Sequence, residues 1–196
     1  MFEIREIMSD VCKDSEIISM KEAGIDADIE ENGTTFEENA LIKASEVFKL
    51  LRNTEYADAI VLSDDSGIEV DCLNKEPGIY SARYMGKDTS YDIKNADLIS
   101  RVNETGDKDR TARFVCTVAA CYPDGTSQVV RGTIEGAIAF EPKGKNGFGF
   151  DPIFFVPELG VTTAELEPSK KHEISHRGRA LRMIKEEILK HENSCN

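Results

Sequence analysis

The chain has 196 residues, of which 37 are acidic and 24 are basic, so its formal net charge is −13. A chain of this length is large enough to bury roughly 70% of the surface that its unfolded form exposes, without disulfides or a structural metal. Its negative charge opposes close approach to another polyanion, which argues against nucleic acid or an anionic membrane as a general partner. We expect one domain over residues 1–196.

The apolar stretches and the cysteines favour a soluble protein of the reducing cytoplasm. The most apolar stretches, 57–63 and 152–157, are far shorter than the ~20 residues that span a bilayer. Charges among the first residues do not suit a secretion signal. The 5 cysteines are odd in number and lack C-x-x-C spacing, so they indicate neither a disulfide framework nor a zinc ribbon.

The first predicted elements are two helices. In the opening helix the apolar residues share one face: Ile4, Ile7, Met8 and Val11. The second helix is predicted over 36–52, where Thr35 stands as N-cap and Glu38 completes a capping box three residues later.

Strand patterns dominate the middle of the chain. The run 59–63 is typical of a strand buried on both faces, and 68–72 alternates like a half-exposed strand. The later predicted elements are a helix at 90–102, a strand at 112–122, a turn at 123–125, strands at 128–133 and 137–140, and a helix at 176–190 capped by Ser175. Interleaved helices and strands predict an α/β fold.

Segment 63–67, SDDSG, is predicted to be an acidic turn directly after a buried strand. Carboxylates at the end of a strand supply hard oxygen ligands for Mg²⁺ and a general base. Aspartate, serine and glycine are also ordinary turn residues, so a solvated turn is the alternative. Glu30 either completes a metal site or interacts favourably with the dipole of the following helix. Lys43 either contacts a phosphate or is a solvated surface lysine.

The glycine-rich segment 144–151, GKNGFGFD, is predicted to be a loop that approaches a ligand closely. Phe148 and Phe150 are suited to stacking on a planar ring, or else to plugging a long hairpin loop. The segment matches neither the dinucleotide fingerprint nor the Walker pattern.

A basic segment at 170–178, KKHEISHRG, stands out in this acidic chain. Lys171, His176 and Arg177 offer donors near a helix N-terminus, which favours an anion and base-edge clamp over a solvated basic face. His172 and His176 also match the zinc motif H-E-x-x-H. That context is poor, because Ser175 looks like a helix cap inside the motif.

Five motifs follow one another at fitting separations: TFEENA at 35–40, SDDSGIEV at 63–70, PGIYSARY at 77–84, GFGFDPIF at 147–154 and SHRG at 175–178. Together they closely resemble the inosine triphosphate pyrophosphatase family, also called the Ham1 or non-canonical purine nucleoside triphosphate pyrophosphatases. The likeness runs from about residue 1 to residue 190.

This resemblance implies Mg²⁺-dependent hydrolysis of dITP, ITP and XTP to the nucleoside monophosphate and pyrophosphate, by a cytoplasmic homodimer. It also implies an elongated mixed sheet flanked by helices, in two lobes with a substrate cleft between them. Such hydrolysis depends on charge neutralisation and positioning, which carboxylates, Mg²⁺ and lysines provide.

The resemblance also implies residue roles. Glu30 and Asp65 hold Mg²⁺, Asp65 activates the attacking water, and Lys43 assists the phosphates. The implied substrate-binding residues are Ser66, Phe148, Gly149, Phe150, Asp151, Lys171, His176 and Arg177. Phe148 is implied to stack on the purine, and donation from Arg177 to O6 would favour 6-oxo purines, because adenine has a donor at that position.

One feature of the family has no counterpart in this sequence. Family members begin with a strand and a Thr-x-Asn-x-x-Lys-like turn that holds the triphosphate, and Met1 stands just after the place of that lysine. We therefore expect an unpaired position in the sheet and impaired catalysis. Two alternatives to the pyrophosphatase are a nucleotide-binding protein with impaired turnover and, more remotely, a zinc hydrolase that uses His172 and His176.

Overall fold

The computed structural model describes residues 2–8 and 16–194. Helices and strands are interleaved, which confirms the predicted α/β class. The helices are α1 Phe2–Met8, α2 Phe36–Leu51, α3 Tyr91–Thr105, α4 Pro168–Ile174 and α5 His176–Ser194. The strands are β1 Val61–Val70, β2 Thr111–Cys121, β3 Ser127–Ile138, β4 Phe154–Val156 and β5 Val161–Thr162, and they form a 5-stranded sheet in that order.

The chain forms two compact units. The first comprises Met1–Asp65, Cys116–Gly132 and Arg177–Asn196, and the second comprises Ser66–Val115 and Thr133–His176. Two units agree with the two lobes that the family resemblance implies, whereas the cleft stays a prediction. Across the described ranges, no helix has the length and apolarity needed to cross a membrane. Val11, Cys12 and Cys195 lie outside the described residues.

The first unit is a layer of sheet between two helices. Successive side chains of a strand point to opposite faces, so β2 divides its buried residues between two cores. Cys116, Val118 and Ala120 belong to the core that includes helix α5. Ala119 and Cys121 belong to the core that includes helix α2. Both helices are thereby held against the same strands.

Helix α2 begins as the capping box predicts, with one difference. The Thr35 side chain accepts a hydrogen bond from the Glu38 backbone N–H, at 3.1 Å. The Glu38 carboxylate reaches back one residue further than expected, to the backbone N–H of Thr34 at 2.6 Å. These bonds satisfy N–H groups that a helix start leaves unpaired, and they fix the helix that carries Asn39 and Lys43.

The acidic segment 63–67 is not a turn, so that prediction was wrong. It lies inside β1, which runs unbroken from Val61 to Val70 and pairs with β2. The two predicted strands at 59–63 and 68–72 are therefore largely one strand, because hydrogen bonding to β2 outweighs the turn preference of aspartate, serine and glycine. The strands predicted at 128–133 and 137–140 likewise merge into β3.

The second unit packs around the remaining halves of the long strands. Its core joins Ile68 and Val70 of β1, Leu98 and Val102 of α3, and Phe154 of β4. Strands β3 and β4 pair antiparallel, as do β4 and β5. The short elements β4, β5 and α4 were not predicted, because two to seven residues carry too little periodicity to identify.

An ion-pair network lies on the sheet of this unit, around Arg113. The guanidinium of Arg113 contacts both carboxylate oxygens of Asp71, at 3.0 and 3.2 Å, and also contacts Glu69 and Glu135. Hydrogen bonds from Lys75, Thr111 and Arg113 hold the pKa of Asp71 well below its ordinary value. Asp71 therefore favours the folded state when it is ionised.

We expect Asp71→Asn to lower the free energy of unfolding at pH 7 by about 1–3 kcal/mol, since charged hydrogen bonds are lost. The folded-state pKa is the lower one, so the contribution of Asp71 is present above about pH 4 and is lost as the pH falls further. Urea unfolding of variant and parent at pH 7 and at about pH 2, which approaches the lowered folded-state pKa, measures this. Asp88→Asn, at an exposed position of the same unit, is the charge-matched control. An equal loss at both pH values would contradict the prediction.

Candidate functional site

Asp65 faces helix α2 from β1 and is only 8% exposed. Its Oδ2 accepts a hydrogen bond from Asn39 Nδ2 at 3.1 Å. Its Oδ1 lies 3.9 Å from Lys43 Nζ. Asn39 and Lys43 are four residues apart on α2, so one helical face supplies both contacts. The structure thus brings together Asp65 and Lys43, the two predicted catalytic residues.

Asn39 is a further residue of the candidate site that the sequence did not single out. It is fully buried, and its Oδ1 accepts a hydrogen bond from the Gly33 backbone N–H at 2.9 Å. A Cβ on Gly33 would lie 2.7 Å from that same oxygen, so the close approach needs glycine. Asn39 therefore fixes the orientation of Asp65 relative to the chain before α2. The available signal was a polar residue on the apolar face that carries Phe36 and Ala40.

Lys43 is paired with Glu31, whose Oε1 lies 3.0 Å from Nζ. Glu30, the predicted metal ligand, is exposed, and the structure does not place it in this pair. Exposure alternates along 25–31, as in an extended chain, so neighbouring glutamates point to opposite sides. The first unit therefore brings Glu31, rather than Glu30, to the lysine beside Asp65.

Asp64 points away from Asp65, because adjacent residues of a strand lie on opposite faces. Its Oδ2 lies 2.8 Å from Arg177 Nη2 and 3.9 Å from Cys116 Sγ. Arg177 was predicted to bind a base edge, and the structure shows an ion pair to Asp64. The two aspartates thus face different helices and do not form the paired acidic site that a turn would have made.

Asp151 organises the glycine-rich loop of the second unit. It is 2% exposed, and its Oδ2 accepts hydrogen bonds from Lys171 Nζ at 2.5 Å and from the Phe148 backbone N–H at 2.7 Å. Its Oδ1 accepts from the Thr163 hydroxyl at 2.8 Å. Three donors compensate the burial of this carboxylate. Asp151 and Lys171, both predicted site residues, are therefore direct partners.

Gly147 allows this arrangement. Its φ is +77°, a conformation that L side chains rarely adopt, and an added Cβ would lie 2.2 Å from Asp151 Oδ2 and 2.9 Å from Lys171 Nζ. No other residue fits without moving the buried ion pair.

The two phenylalanines of this loop have different environments. Phe148 is 70% exposed, and Lys171 Nζ lies 5.1 Å from its ring centroid. Phe150 is 4% exposed and packs edge-on against Tyr91 at 5.4 Å. The Gly149 carbonyl between them accepts a hydrogen bond from Asn95 at 3.2 Å. Phe148 exposes its ring to solvent, whereas Phe150 anchors the loop to α3.

The H-E-x-x-H sequence does not form the zinc-binding geometry. Helix α4 ends at Ile174, Ser175 is extended at its C-cap, and α5 begins at His176. The two histidines are therefore not on successive turns of one helix, as that motif requires. The His176 ring stacks on Phe114 with centroids 4.9 Å apart. No group of three or more metal-ligating side chains occurs among the residues that the structure describes.

Ser66, the remaining predicted substrate residue, follows Asp65 in β1 and is half-buried.

Each unit carries one buried carboxylate beside a lysine, and the second unit adds an exposed aromatic ring. Lysines bind phosphates as point charges, and an exposed ring stacks on a base. The first unit is therefore suited to an anionic group, and the second unit is suited to a planar ring.

Comparison with known proteins agrees with this chemistry. The model of the Ham1 family matches residues 1–187. The dITP/XTP pyrophosphatase of Clostridium perfringens is 45% identical over 95% of this chain and 90% of its own length. The dITP/XTP pyrophosphatase of an Exiguobacterium species is 50% identical over 82% of this chain and 78% of its own length. The Staphylococcus aureus Ham1 protein superposes with a TM-score of 0.86 at 40% identity, over 98% of this chain and 95% of its own. The chain belongs to the Ham1 family.

We expect Gly147→Ala to destabilise the protein by about 1–3 kcal/mol more than Gly160→Ala, because only the first adds a clash with a buried ion pair. Gly160 is the matched control, since its φ is +70° and an added Cβ would meet nothing within 4 Å. Thermal unfolding of both variants measures the difference. Equal destabilisation would show that backbone conformation alone matters at Gly147.

Proposed function

We propose that this chain hydrolyses dITP, ITP and XTP to the nucleoside monophosphate and pyrophosphate. The observation that carries the proposal is the buried Asp65, which is held by Asn39 and lies beside Lys43. The proposal is supported by the relatives at 45–50% identity that are named dITP/XTP pyrophosphatases. Cleaning the nucleotide pool of deaminated purines is the role that follows.

In the proposed reaction, water attacks a phosphorus of the triphosphate and pyrophosphate leaves. Asp65 accepts the proton of that water, and Asn39 keeps the carboxylate in place by donating to Oδ2. Lys43 neutralises charge on the phosphates, which is the main requirement of phosphoryl transfer. No covalent enzyme intermediate is needed.

We further propose that Mg²⁺ assists, held by Glu30 and Asp65. Mg²⁺ prefers hard oxygen ligands and uses one or two carboxylates together with substrate phosphates, and carboxylates of this kind supply them. Because Glu30 points to the opposite side from Glu31, which pairs with the lysine beside Asp65, joint binding requires the chain before α2 to turn Glu30 toward Asp65. Glu30 is exposed and forms no ion pair within the described part of the chain. When bound, Mg²⁺ would neutralise charge on the phosphates. Glu31 then acts as the counter-ion of Lys43.

For the purine, we propose that Phe148 stacks on the ring system. Gly149, Phe150 and Asp151 hold the loop that presents it, and Lys171 lies beside it. Ser66, His176 and Arg177 contact the nucleoside, and donation from Arg177 to O6 favours 6-oxo purines. This last role requires Arg177 to exchange its bond to Asp64 for the base. A cytoplasmic homodimer that does not bind nucleic acid completes the proposal.

We expect the purified protein to release pyrophosphate from dITP in the presence of Mg²⁺, and Asp65→Asn to lower kcat by about 10²- to 10⁴-fold because the proton acceptor is lost. Pyrophosphate release from dITP, XTP, ATP and GTP measures activity and selectivity. Binding of dITP without pyrophosphate release would instead select the nucleotide-binding alternative. Equal rates with dITP and ATP would contradict the proposed substrate class.

Two adjacent glutamates provide matched variants for this assay. Glu30→Gln should raise the Mg²⁺ concentration needed for half-maximal activity. Glu31→Gln should leave the Mg²⁺ requirement unchanged and lower KM by about two- to fivefold, because it frees Lys43 from a partly buried ion pair. The reverse assignment of the two effects would show that Glu31 is the metal ligand.

We expect Phe148→Ala to raise KM for dITP by about 10- to 100-fold with little change in kcat, because base stacking on an aromatic ring contributes about 1–3 kcal/mol. Phe140→Ala is the matched control, since Phe140 is also exposed, at 76%, and lies over Arg110 instead. Steady-state kinetics separate the two parameters. If both variants behave like the parent, Phe148 does not bind the base.

A further inference from the structure

Phe148 stands between two glycines in the loop of the second unit. Gly147 and Gly149 have φ values of +77° and +68°, and glycine has the least restricted backbone of any residue. The Phe148 ring is 70% exposed, so its own packing does little to hold it. The position of the ring therefore depends on the hydrogen bonds that fix the backbone on its two sides.

Two residues supply those hydrogen bonds. On the side of Gly147, the Asp151 carboxylate accepts from the Phe148 backbone N–H at 2.7 Å. On the side of Gly149, Asn95 Nδ2 donates to the Gly149 carbonyl at 3.2 Å. Asp151 belongs to the loop itself, whereas Asn95 belongs to α3, so the second bond ties the loop to a helix that contributes to the core of the unit.

The burial of Asn95 is unfavourable for the folded state. The residue is 2% exposed, and its Oδ1 is buried without a hydrogen-bond partner among the residues that the structure describes. A buried acceptor left unpaired destabilises a protein, and asparagine also forms helix less readily than alanine. An alanine here would avoid both effects. Stability therefore does not account for this asparagine, and the remaining role of its amide is the hydrogen bond to the loop.

Two further contacts hold the face of α3 that carries Asn95. Tyr91, four residues earlier, lies on the same face and packs edge-on against Phe150, with ring centroids 5.4 Å apart. Lys94 is 1% exposed, and its Nζ donates to the Ala82 carbonyl at 3.0 Å and lies 4.9 Å from the centroid of the Tyr91 ring. Tyr91 and Asn95 therefore form a fixed surface on which the loop rests.

We propose that Asn95 is a positioning residue for purine binding, because its hydrogen bond to the Gly149 carbonyl holds the backbone of Phe148 in the orientation that accepts the base. In this role Asn95 acts through the loop and needs no contact with the substrate. A preorganised loop loses less conformational entropy when the base stacks. The role rests on the proposed stacking of Phe148, whereas the anchoring of the loop by Asn95 can be measured without a nucleotide.

Asn95→Ala in the full chain tests this role. We expect a melting temperature within about 3 °C of the parent, because the lost hydrogen bond is offset by removal of the unpaired Oδ1 and by the better helix propensity of alanine. Amide hydrogen exchange at Phe148 and Asp151 should become at least about threefold faster, because both N–H groups lie in the loosened loop. KM for dITP should rise about 3- to 10-fold while kcat changes less than about twofold, as expected for one hydrogen bond.

Two further variants are the matched controls. Asn95→Asp keeps the shape of the side chain and removes the donor, so it should reproduce the rise in KM and the faster exchange at Phe148. Asn103 lies on the same helix, and its Oδ1 accepts from Arg110 Nη1 at 2.6 Å. Asn103→Ala should therefore lower the melting temperature and leave KM and the exchange of the loop unchanged.

The exchange of the loop and KM together decide the role of Asn95. Exchange at the parent rate in both Asn95 variants would overturn the proposal, whatever their stability. Faster exchange without a rise in KM would also overturn it, since Asn95 would then anchor the loop without positioning the purine. If the parent bound dITP without releasing pyrophosphate, the proposed reaction would fail by itself, and the Kd for dITP would replace KM as the readout for Asn95.

Discussion

The unbroken course of β1 through Asp64 and Asp65 determines the chemistry of the first unit. Because a strand alternates its side chains, two neighbouring carboxylates are sent to opposite faces of the sheet. Asp65 reaches Asn39 and Lys43 on α2, while Asp64 reaches Arg177 at the start of α5. A difference of one residue along the strand therefore separates the aspartate that lies beside Lys43 from the aspartate that pairs with Arg177.

The second unit fixes the backbone that carries an exposed aromatic ring. The Phe148 backbone is fixed by a buried carboxylate, Asp151, whose own charge is compensated by Lys171 and Thr163. Gly147 leaves room for that ion pair, and Phe150 ties the loop to α3. Fixing the backbone in advance lowers the conformational entropy that the loop loses when a ligand stacks on the ring.

The long helices of this fold were predictable from the sequence. A segment in which turn-forming residues and strand pairing favour different structures was not. The capping box and apolar period located α2 to within a residue of its observed end, and Ser175 correctly marked the start of α5. The acidic segment of β1 was misjudged, because its turn-forming residues are overruled by pairing with a strand about 50 residues away. The role of Asn39 could not be assigned, since its partners Gly33 and Asp65 come from separate segments.

The ion pair between Lys43 and Glu31 has a consequence for ligand selection. The lysine is already paired with a carboxylate that lies twelve residues away in the chain. An incoming anion must therefore compete with Glu31 for Lys43. The fold fixes the effective concentration of Glu31 at the lysine, so it does not fall when the protein is diluted. A monovalent anion replaces one weak ion pair with another, so it gains little binding free energy. A polyanion that binds several groups at once displaces Glu31 with a net gain in binding free energy. The pair of Lys43 and Glu31 therefore favours ligands that carry several negative charges.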